Sequence, residues 1–251
     1  MRRQSIAVLV VGDEEQMTNP LDDERIARGM SAQFELKKKR LADGETPIGW
    51  KSGFGAPAVL RKLKLDACLV GFLHDRTRLD SGAAVSLAGW SKPTLEPEIA
   101  IHIGKDVAAG ADADTARDAI AAIGPAIELV DLKPPLSDVE AILSGNIFHR
   151  HVIIGPSSTS HAGGATNGLT ARVVRNGVET ANTTEVEAMT GSLVPIVQRI
   201  ADTIGPMGES LKAGQVIIAG SIVPAIFLNS DDREVTYTLD PIGTVSVRFD
   251  S

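Results

Sequence analysis

Cysteine is nearly absent from this chain. Cys68 stands alone among 251 residues, so no intrachain disulfide is possible, and a reducing cytoplasm is the expected setting. Its apolar surroundings, Leu65-Asp66-Ala67-Cys68-Leu69-Val70, read as those of a buried, inert thiol. Long hydrophobic runs are missing as well. No stretch approaches the roughly 20 apolar residues that span a bilayer, so no membrane partner is expected. The start, Met1-Arg2-Arg3 and then Ile6 to Val11, superficially resembles a signal peptide. Its apolar part is only about six residues long and lacks a small-residue cleavage site. Positive charge is in deficit: the net charge is −7 and the pI about 5.3. That argues against nucleic acid, because phosphate binding needs a basic face. The one basic run, Lys37-Lys38-Lys39-Arg40, reads as a solvated helix face near the negative end of the helix dipole.

Several catalytic signatures are absent too. Gly53-Phe54-Gly55 and Gly163-Gly164 are turn glycines rather than a phosphate-cradling loop between strand and helix. There is no Gly-x-Ser-x-Gly elbow and no Cys/His zinc pattern. The histidines (His74, His102, His149, His151, His161) show no metal spacing.

What is present is 43% hydrophobic residues, ample for a core. Residues 22–42 predict an amphipathic helix, capped by Asp22 or Asp23, with Ile26, Met30, Phe34 and Leu41 at helical spacing and Gly44 closing it. Residues 5–16 fit a short strand or a helix equally. From Ile48 onward short apolar runs alternate with Gly, Pro, Asn and Asp turns. They predict strands near 48–53, 67–72, 96–103, 125–131, 151–155, 169–175, 215–219 and 244–249. Asn176-Gly177 signals a tight hairpin. Helices are expected at 56–64, 112–122 and 184–204, the last packing through Leu193, Ile196, Val197 and Ile200. Strands and helices do not alternate regularly, so an α+β, sheet-rich core is preferred to a doubly wound sheet. The expected division is an N-terminal helical segment, 1–45, and a β-rich catalytic core, 46–251.

The segment Leu95-Glu96-Pro97-Glu98-Ile99-Ala100-Ile101-His102-Ile103 carries the strongest chemistry. On a strand, residues two apart share a face, so Glu96 and Glu98 project together and Ile99, Ile101 and Ile103 fill the other side. Adjacent carboxylates repel unless a proton or cation lies between them. Glu128, in the apolar run Ala126-Ile127-Glu128-Leu129-Val130, can bring a third ligand. All-oxygen ligation suits Mg²⁺ or Mn²⁺ rather than zinc. The same pair also reads as two solvated acids opening an edge strand, where Pro97 is tolerated. Lys51, in Gly49-Trp50-Lys51-Ser52-Gly53, is either a lysine snorkelling to the surface or a cation aimed at an anionic substrate. Asp75, Asn146 and Ser221 look like turn residues, and His102 shares the Glu98 face.

Together these fragments resemble the fumarylacetoacetate hydrolase superfamily, in the branch of 2-keto-4-pentenoate (2-hydroxypentadienoate) hydratases and 4-oxalocrotonate decarboxylases. The matching segments are Gly49-Trp50-Lys51, Gly71-Phe72-Leu73-His74-Asp75, Glu96-Pro97-Glu98-Ile99-Ala100, Ala126-Ile127-Glu128-Leu129-Val130-Asp131, Asn146 and Ala213-Gly214-Gln215-Val216-Ile217-Ile218-Ala219-Gly220-Ser221. They fall in family order from about residue 25 to the C-terminus, and Gly243 to Phe249 is similar to the closing strand. The resemblance implies a mixed β-roll core and a Mg²⁺ or Mn²⁺ held by Glu96, Glu98 and Glu128. It also implies Lys51 and Asp75 as catalytic residues, Asn146, His149 and Ser221 at the substrate, and self-association into a homo-oligomer. Substrates of the branch are 2-oxo or 2-hydroxydienoic acids from aromatic ring cleavage, whose C1 carboxylate and C2 oxygen can chelate the metal. The activity implied is that of a lyase, a hydratase first, with a decarboxylase, a C–C hydrolase or a non-catalytic metabolite-binding relative as alternatives. Two segments depart from the branch. Small and hydroxyl residues after the asparagine are replaced by Ile147-Phe148-His149-Arg150, and a threonine after Gly-Ser by Val223. His149 or Arg150 is thereby expected to bind a second carboxylate, that of a dicarboxylate substrate.

Overall fold

The computed structural model describes residues 19–133 and 135–250. The segment 5–16 and the signal-like start lie outside these residues. In chain order the elements are α1 (Glu24–Ala42), β1 (Pro47–Gly53), α2 (Pro57–Leu63), β2 (Leu69–His74), β3 (Arg78–Leu79), β4 (Ala83–Ser86), β5 (Pro93–Ile103) and α3 (Ala113–Ala119). There follow β6 (Ile120–Asp131), α4 (Val139–Ser144), β7 (His149–Ile154), β8 (Thr170–Arg175), β9 (Val178–Thr183) and α5 (Leu193–Ile204). The chain closes with β10 (Val216–Ser221), β11 (Ile226–Phe227), β12 (Glu234–Asp240) and β13 (Gly243–Asp250). One mixed sheet has the order β2-β1-β10-β5-β6-β7-β3, with β11 added on β5; a second runs β4-β13-β12-β8-β9. The α+β class follows directly. Among the described residues no helix is long and apolar enough to cross a membrane.

Local chemistry explains most boundaries. Asp23 caps α1 by accepting the Arg25 N–H at 2.9 Å. Ile26, Met30 and Phe34 enter the same apolar core as Trp50 and Phe72, so the helix shares the core of the sheet. Leu41 does not join them and is exposed. Lys37 corrects the expectation of a solvated basic face. Its side chain is buried, its ammonium lies 4.9 Å from the Trp50 ring and 5.5 Å from Phe34, and it pairs with Glu209. Two aromatic faces and one carboxylate replace the water such a cation needs. The helix expected over 184–204 forms only from Leu193, because the chain turns at Gly191 with φ +79°.

The acid-bearing strand is not an edge. Lying between β10 and β6, β5 overturns the reading of Glu96 and Glu98 as solvated edge acids. Pro97 is tolerated because β10 slips register between the Ile218–Ala100 and Ser221–Glu98 pairs. At this bulge the Pro97 carbonyl accepts the Ile222 N–H at 3.0 Å, and the chain of β10 needs no amide from residue 97.

Candidate metal centre

Register brings the three acids together. Glu96 sits directly opposite Glu128 across the β5–β6 ladder, and Glu98 is two residues along β5 on the same face. One carboxylate oxygen from each of the three lies within 4.8 Å of the others. Glu98 and Glu128 are fully buried, and Glu96 is partly so. Lys51, from β1, reaches the same point: its buried ammonium bonds Glu128 Oε1 and lies 3.3 Å from the Ile147 carbonyl. Gly71 on the neighbouring strand makes room for it. A Cβ there would stand 3.0 Å from Lys51 Cγ and 2.8 Å from Asn146 Oδ1.

The electrostatics are those of an uncompensated anion cluster. Three carboxylates against one ammonium leave two negative charges, the charge of a divalent cation. Burial, then the neighbouring Glu128 charge, raises Glu96 to about 7. Burial and both other carboxylates push Glu98 well above the ordinary range. Burial would raise Glu128 too, yet Lys51 and His149 outweigh it and hold it low. The oxygens are unequally used. Glu98 Oε2 accepts the Gly220 N–H at 2.7 Å, and Glu128 Oε1 takes both Lys51 and His149. Glu98 Oε1 and Glu128 Oε2 are buried without a hydrogen-bond partner among the described residues. Buried oxygens are rarely left so. An oxygen-only donor set carrying two net negative charges fits a hard divalent cation such as Mg²⁺, Mn²⁺ or Ca²⁺.

A left-handed turn supports the cluster from the side. Asn146, Ile147 and Phe148 have φ of +51°, +52° and +61° in succession, a costly conformation for a β-branched residue. The turn is pinned by Asn146, whose amide exchanges two hydrogen bonds with the Phe72 backbone at 2.9 and 3.0 Å. It aims the Ile147 carbonyl at Lys51 and delivers His149. The His149 side chain is buried, with Nδ1 2.6 Å from Glu128 Oε1 and Nε2 3.0 Å from Thr77 Oγ1. Burial pushes its imidazole below the usual range against the pull of Glu128.

Residues 62–250 match the fumarylacetoacetate (FAA) hydrolase C-terminal family. The chain belongs to this family. It is 31% identical over 225 residues to the 2-hydroxyhexa-2,4-dienoate hydratase of Comamonas testosteroni, covering 86% of this chain and 83% of that protein. It is 24% identical over 248 residues to a 4-oxalocrotonate decarboxylase of Pseudomonas putida, covering 97% and 92%. Its fold superposes on the 4-oxalocrotonate decarboxylase from Pseudomonas putida G7 complexed with magnesium and adipate, with a TM-score of 0.81 at 22% identity over 90% of this chain and 86% of that one. Relatives named as hydratases and decarboxylases thus surround this member of the fumarylacetoacetate hydrolase family.

The fold gathers some of the residues singled out in the sequence and separates others. Glu96, Glu98, Glu128 and Lys51 converge. Ser221 lies beside them, lining a cavity of about 230 Å³ that Glu96 also borders. Asp75 does not join this cluster. It is exposed, and its Oδ1 accepts the N–H groups of Thr46 and Arg76, both at 2.9 Å; it closes a turn. Asn146 anchors to the Phe72 backbone, with one hydrogen bond at each end of its amide. His149 is committed at both nitrogens and holds Glu128 rather than a ligand. Thr77 and Glu45 fall in no motif of the sequence, and Gly220 and His74 stand there only as members of longer matching segments; Glu45 Oε2 lies 2.5 Å from His74 Nδ1. Their contacts span 122 residues for Gly220–Glu98 and 72 for Thr77–His149. Cys68 is half-buried at the edge of the same cavity, and burial raises its thiol.

Proposed function

We propose that this protein is a divalent-metal-dependent lyase, a hydratase acting on a 2-hydroxydienoic acid or its 2-oxo tautomer of the kind produced by aromatic ring cleavage. The observation that carries the reading is the pair of buried, unpartnered oxygens, Glu98 Oε1 and Glu128 Oε2, in a cluster with two uncompensated negative charges. Glu96, Glu98 and Glu128 would hold Mg²⁺ or Mn²⁺, and the relative named as a dienoate hydratase supports the choice of reaction. When bound, the cation supplies a Lewis acid to the C1 carboxylate and C2 oxygen of such an acid.

The chain's own residues do the rest. Lys51 and His149 both grip Glu128 Oε1, so Oε2 is the atom turned to the cluster. Gly220 fixes Glu98 in the same way through Oε2. Lys51 is the cation inside the cluster and the group able to hold or return a proton there. Phe54, Val59, Leu132 and Met189 offer apolar contact beside Glu96. The test is an ultraviolet assay of 2-hydroxypentadienoate and 4-oxalocrotonate consumption, with Mg²⁺ or Mn²⁺ supplied and CO₂ measured in parallel. Metal-dependent loss of the dienoate without CO₂ supports hydration. CO₂ release would make the protein a decarboxylase, and inertness toward both acids with either metal would overturn the proposal.

A further inference from the structure

His149, which braces Glu128 through Nδ1, also borders a second cavity, of about 310 Å³. This cavity shares no residue with the one that Glu96 borders, and none of the three clustered acids or Lys51 lines it. In a chain of net charge −7, its wall holds Arg40 and Arg150 and no carboxylate. Neither guanidinium spends much of its capacity on the protein. Among the described residues Arg40 makes one hydrogen bond, to Glu45 at 3.2 Å, and Arg150 one, to Asp131 at 3.4 Å, out of the several N–H donors each carries. Both acids are buried and otherwise engaged: Glu45 meets His74 Nδ1 at 2.5 Å, and Asp131 accepts the Ser91 and Lys92 N–H groups at 2.7 and 2.9 Å. Rings supply much of the remaining wall. Trp90 stacks on His151 with centroids 6.1 Å apart and carries the Arg150 guanidinium 5.2 Å from its own centroid. Phe72 and His74 lie 5.9 Å apart. His151 Nδ1 is buried with no hydrogen bond of good geometry, though the Thr77 backbone is near. Burial lowers His74, His149 and His151, so the lasting positive charge of the wall is that of the two arginines.

We infer that this cavity is a second small-molecule site, which takes a carboxylate borne on an aromatic ring: the carboxylate meets Arg40 and Arg150, and the ring lies among Phe72, His74, Trp90 and His151. A guanidinium's planar fork matches a carboxylate, and the bond between two charged groups is stronger than one between neutral groups. Rings set against rings add contact beyond their buried area. The volume is at the lower end of that of small-molecule sites, which suits a ligand of one ring. Arg150, expected to hold the far carboxylate of the substrate, thus serves a separate molecule. The site needs no cation at the acid cluster, so its fate is separate from that of the hydratase reading.

Calorimetric titration of benzoate into the metal-free protein tests this, because without a cation the acid cluster repels carboxylates. Benzamide supplies the ring without the charge, acetate the charge without the ring, and inorganic phosphate a dianion without a ring. Benzoate should bind more tightly than each of the three by about tenfold or more, the worth of a charge-assisted hydrogen bond or of a buried ring face. Arg40→Gln and Arg150→Gln should each weaken benzoate by about tenfold. Both should leave Mg²⁺ affinity within a factor of about two, as substitutions away from the acid cluster. Crystals of the metal-free native protein soaked in 4-bromobenzoate locate the ligand without any variant, and the bromine's anomalous peak should fall among Phe72, Trp90 and His151. Absence of benzoate binding, a bromine peak beside Glu96, or an affinity that both substitutions leave intact overturns the inference. Acetate or phosphate bound as tightly as benzoate overturns the ring's part in it, and benzamide bound as tightly overturns the part of the arginines.

Discussion

Replacing Glu98 by Gln separates the two forces acting on the cluster. Gln is nearly isosteric, its carbonyl can still accept the Gly220 N–H, and its amide takes the place of the buried Oε1 that has no partner. In metal-free protein the change removes one of three crowded anions. Two unit charges 4.8 Å apart, in an environment of effective dielectric about 20, repel by about 3.5 kcal/mol. The native chain escapes part of this by protonating, since burial and its neighbours raise Glu98 well above the carboxylate range. The sign follows from linkage. A carboxyl raised in the folded state binds its proton more tightly there than in the unfolded chain, so stability is greatest at low pH and falls as pH rises from the unfolded value toward the folded one. Glu96, raised to about 7, adds to this fall. Metal-free native protein should therefore lose on the order of 3 kcal/mol between pH 5 and pH 8.5 from this cluster. The loss in E98Q should be smaller, leaving E98Q the more stable of the two at the alkaline end. With a change of 1 kcal/mol moving Tm by roughly 2–4 °C in a chain of this size, calorimetric scans at the two pH values resolve it. Mg²⁺ at about 100 times its dissociation constant stabilises the native chain by about 2.7 kcal/mol and should do far less for E98Q. A metal-free E98Q less stable than the native chain at pH 8.5, or an equal Mg²⁺ response in both, would refute the assignment of Glu98 as a ligand.

Lys51→Met strands the buried Glu128 carboxylate with His149 alone, and loss of one partner of a buried pair costs about 3–5 kcal/mol; denaturant titration should show it, together with loss of turnover. Asn146→Ala leaves the Phe72 N–H and C=O unpaired in the core, at about 1–3 kcal/mol for each group, and by releasing the left-handed turn it should also weaken Mg²⁺ binding measured by calorimetry. Metal affinity itself should fall as pH drops through about 7, where Glu96 takes up a proton that the metal must displace; a Mg²⁺ dissociation constant unchanged between pH 8 and pH 6 contradicts this. Asp75→Asn, by contrast, should leave turnover and Mg²⁺ affinity within a factor of about two, because an exposed turn acid contributes mainly local hydrogen bonds. A collapse of activity there would return Asp75 to the reacting groups.

The clustering of the three acids was legible in the sequence because a strand's period is two and a register is set by apolar faces. Glu96 and Glu98 alternate with Ile99 and Ile101, and a single antiparallel pairing places Glu128 opposite Glu96. Lys51 kept two readings, since local pattern cannot tell a snorkelling lysine from one with a buried partner 77 residues away. The strand β12, absent from the expected strands, carries a plain alternation, with Val235, Tyr237 and Leu239 buried, between the polar flanks Asp231-Asp232-Arg233 and Asp240. What no local pattern announces is the turn at Asn146-Ile147-Phe148. Glycine is the usual sign of positive φ, and here three larger residues adopt it because Asn146 is bonded into β2 and Ile147 is buried behind Lys51. That turn decides the fate of His149. Read by residue type, a histidine in place of a small residue looks like a new hand for the substrate. Placed by the turn, both its nitrogens are taken, by Glu128 and Thr77, and it becomes a brace for Glu128. The departure from the branch's pattern therefore alters how the acid cluster is held, from the side of Glu128.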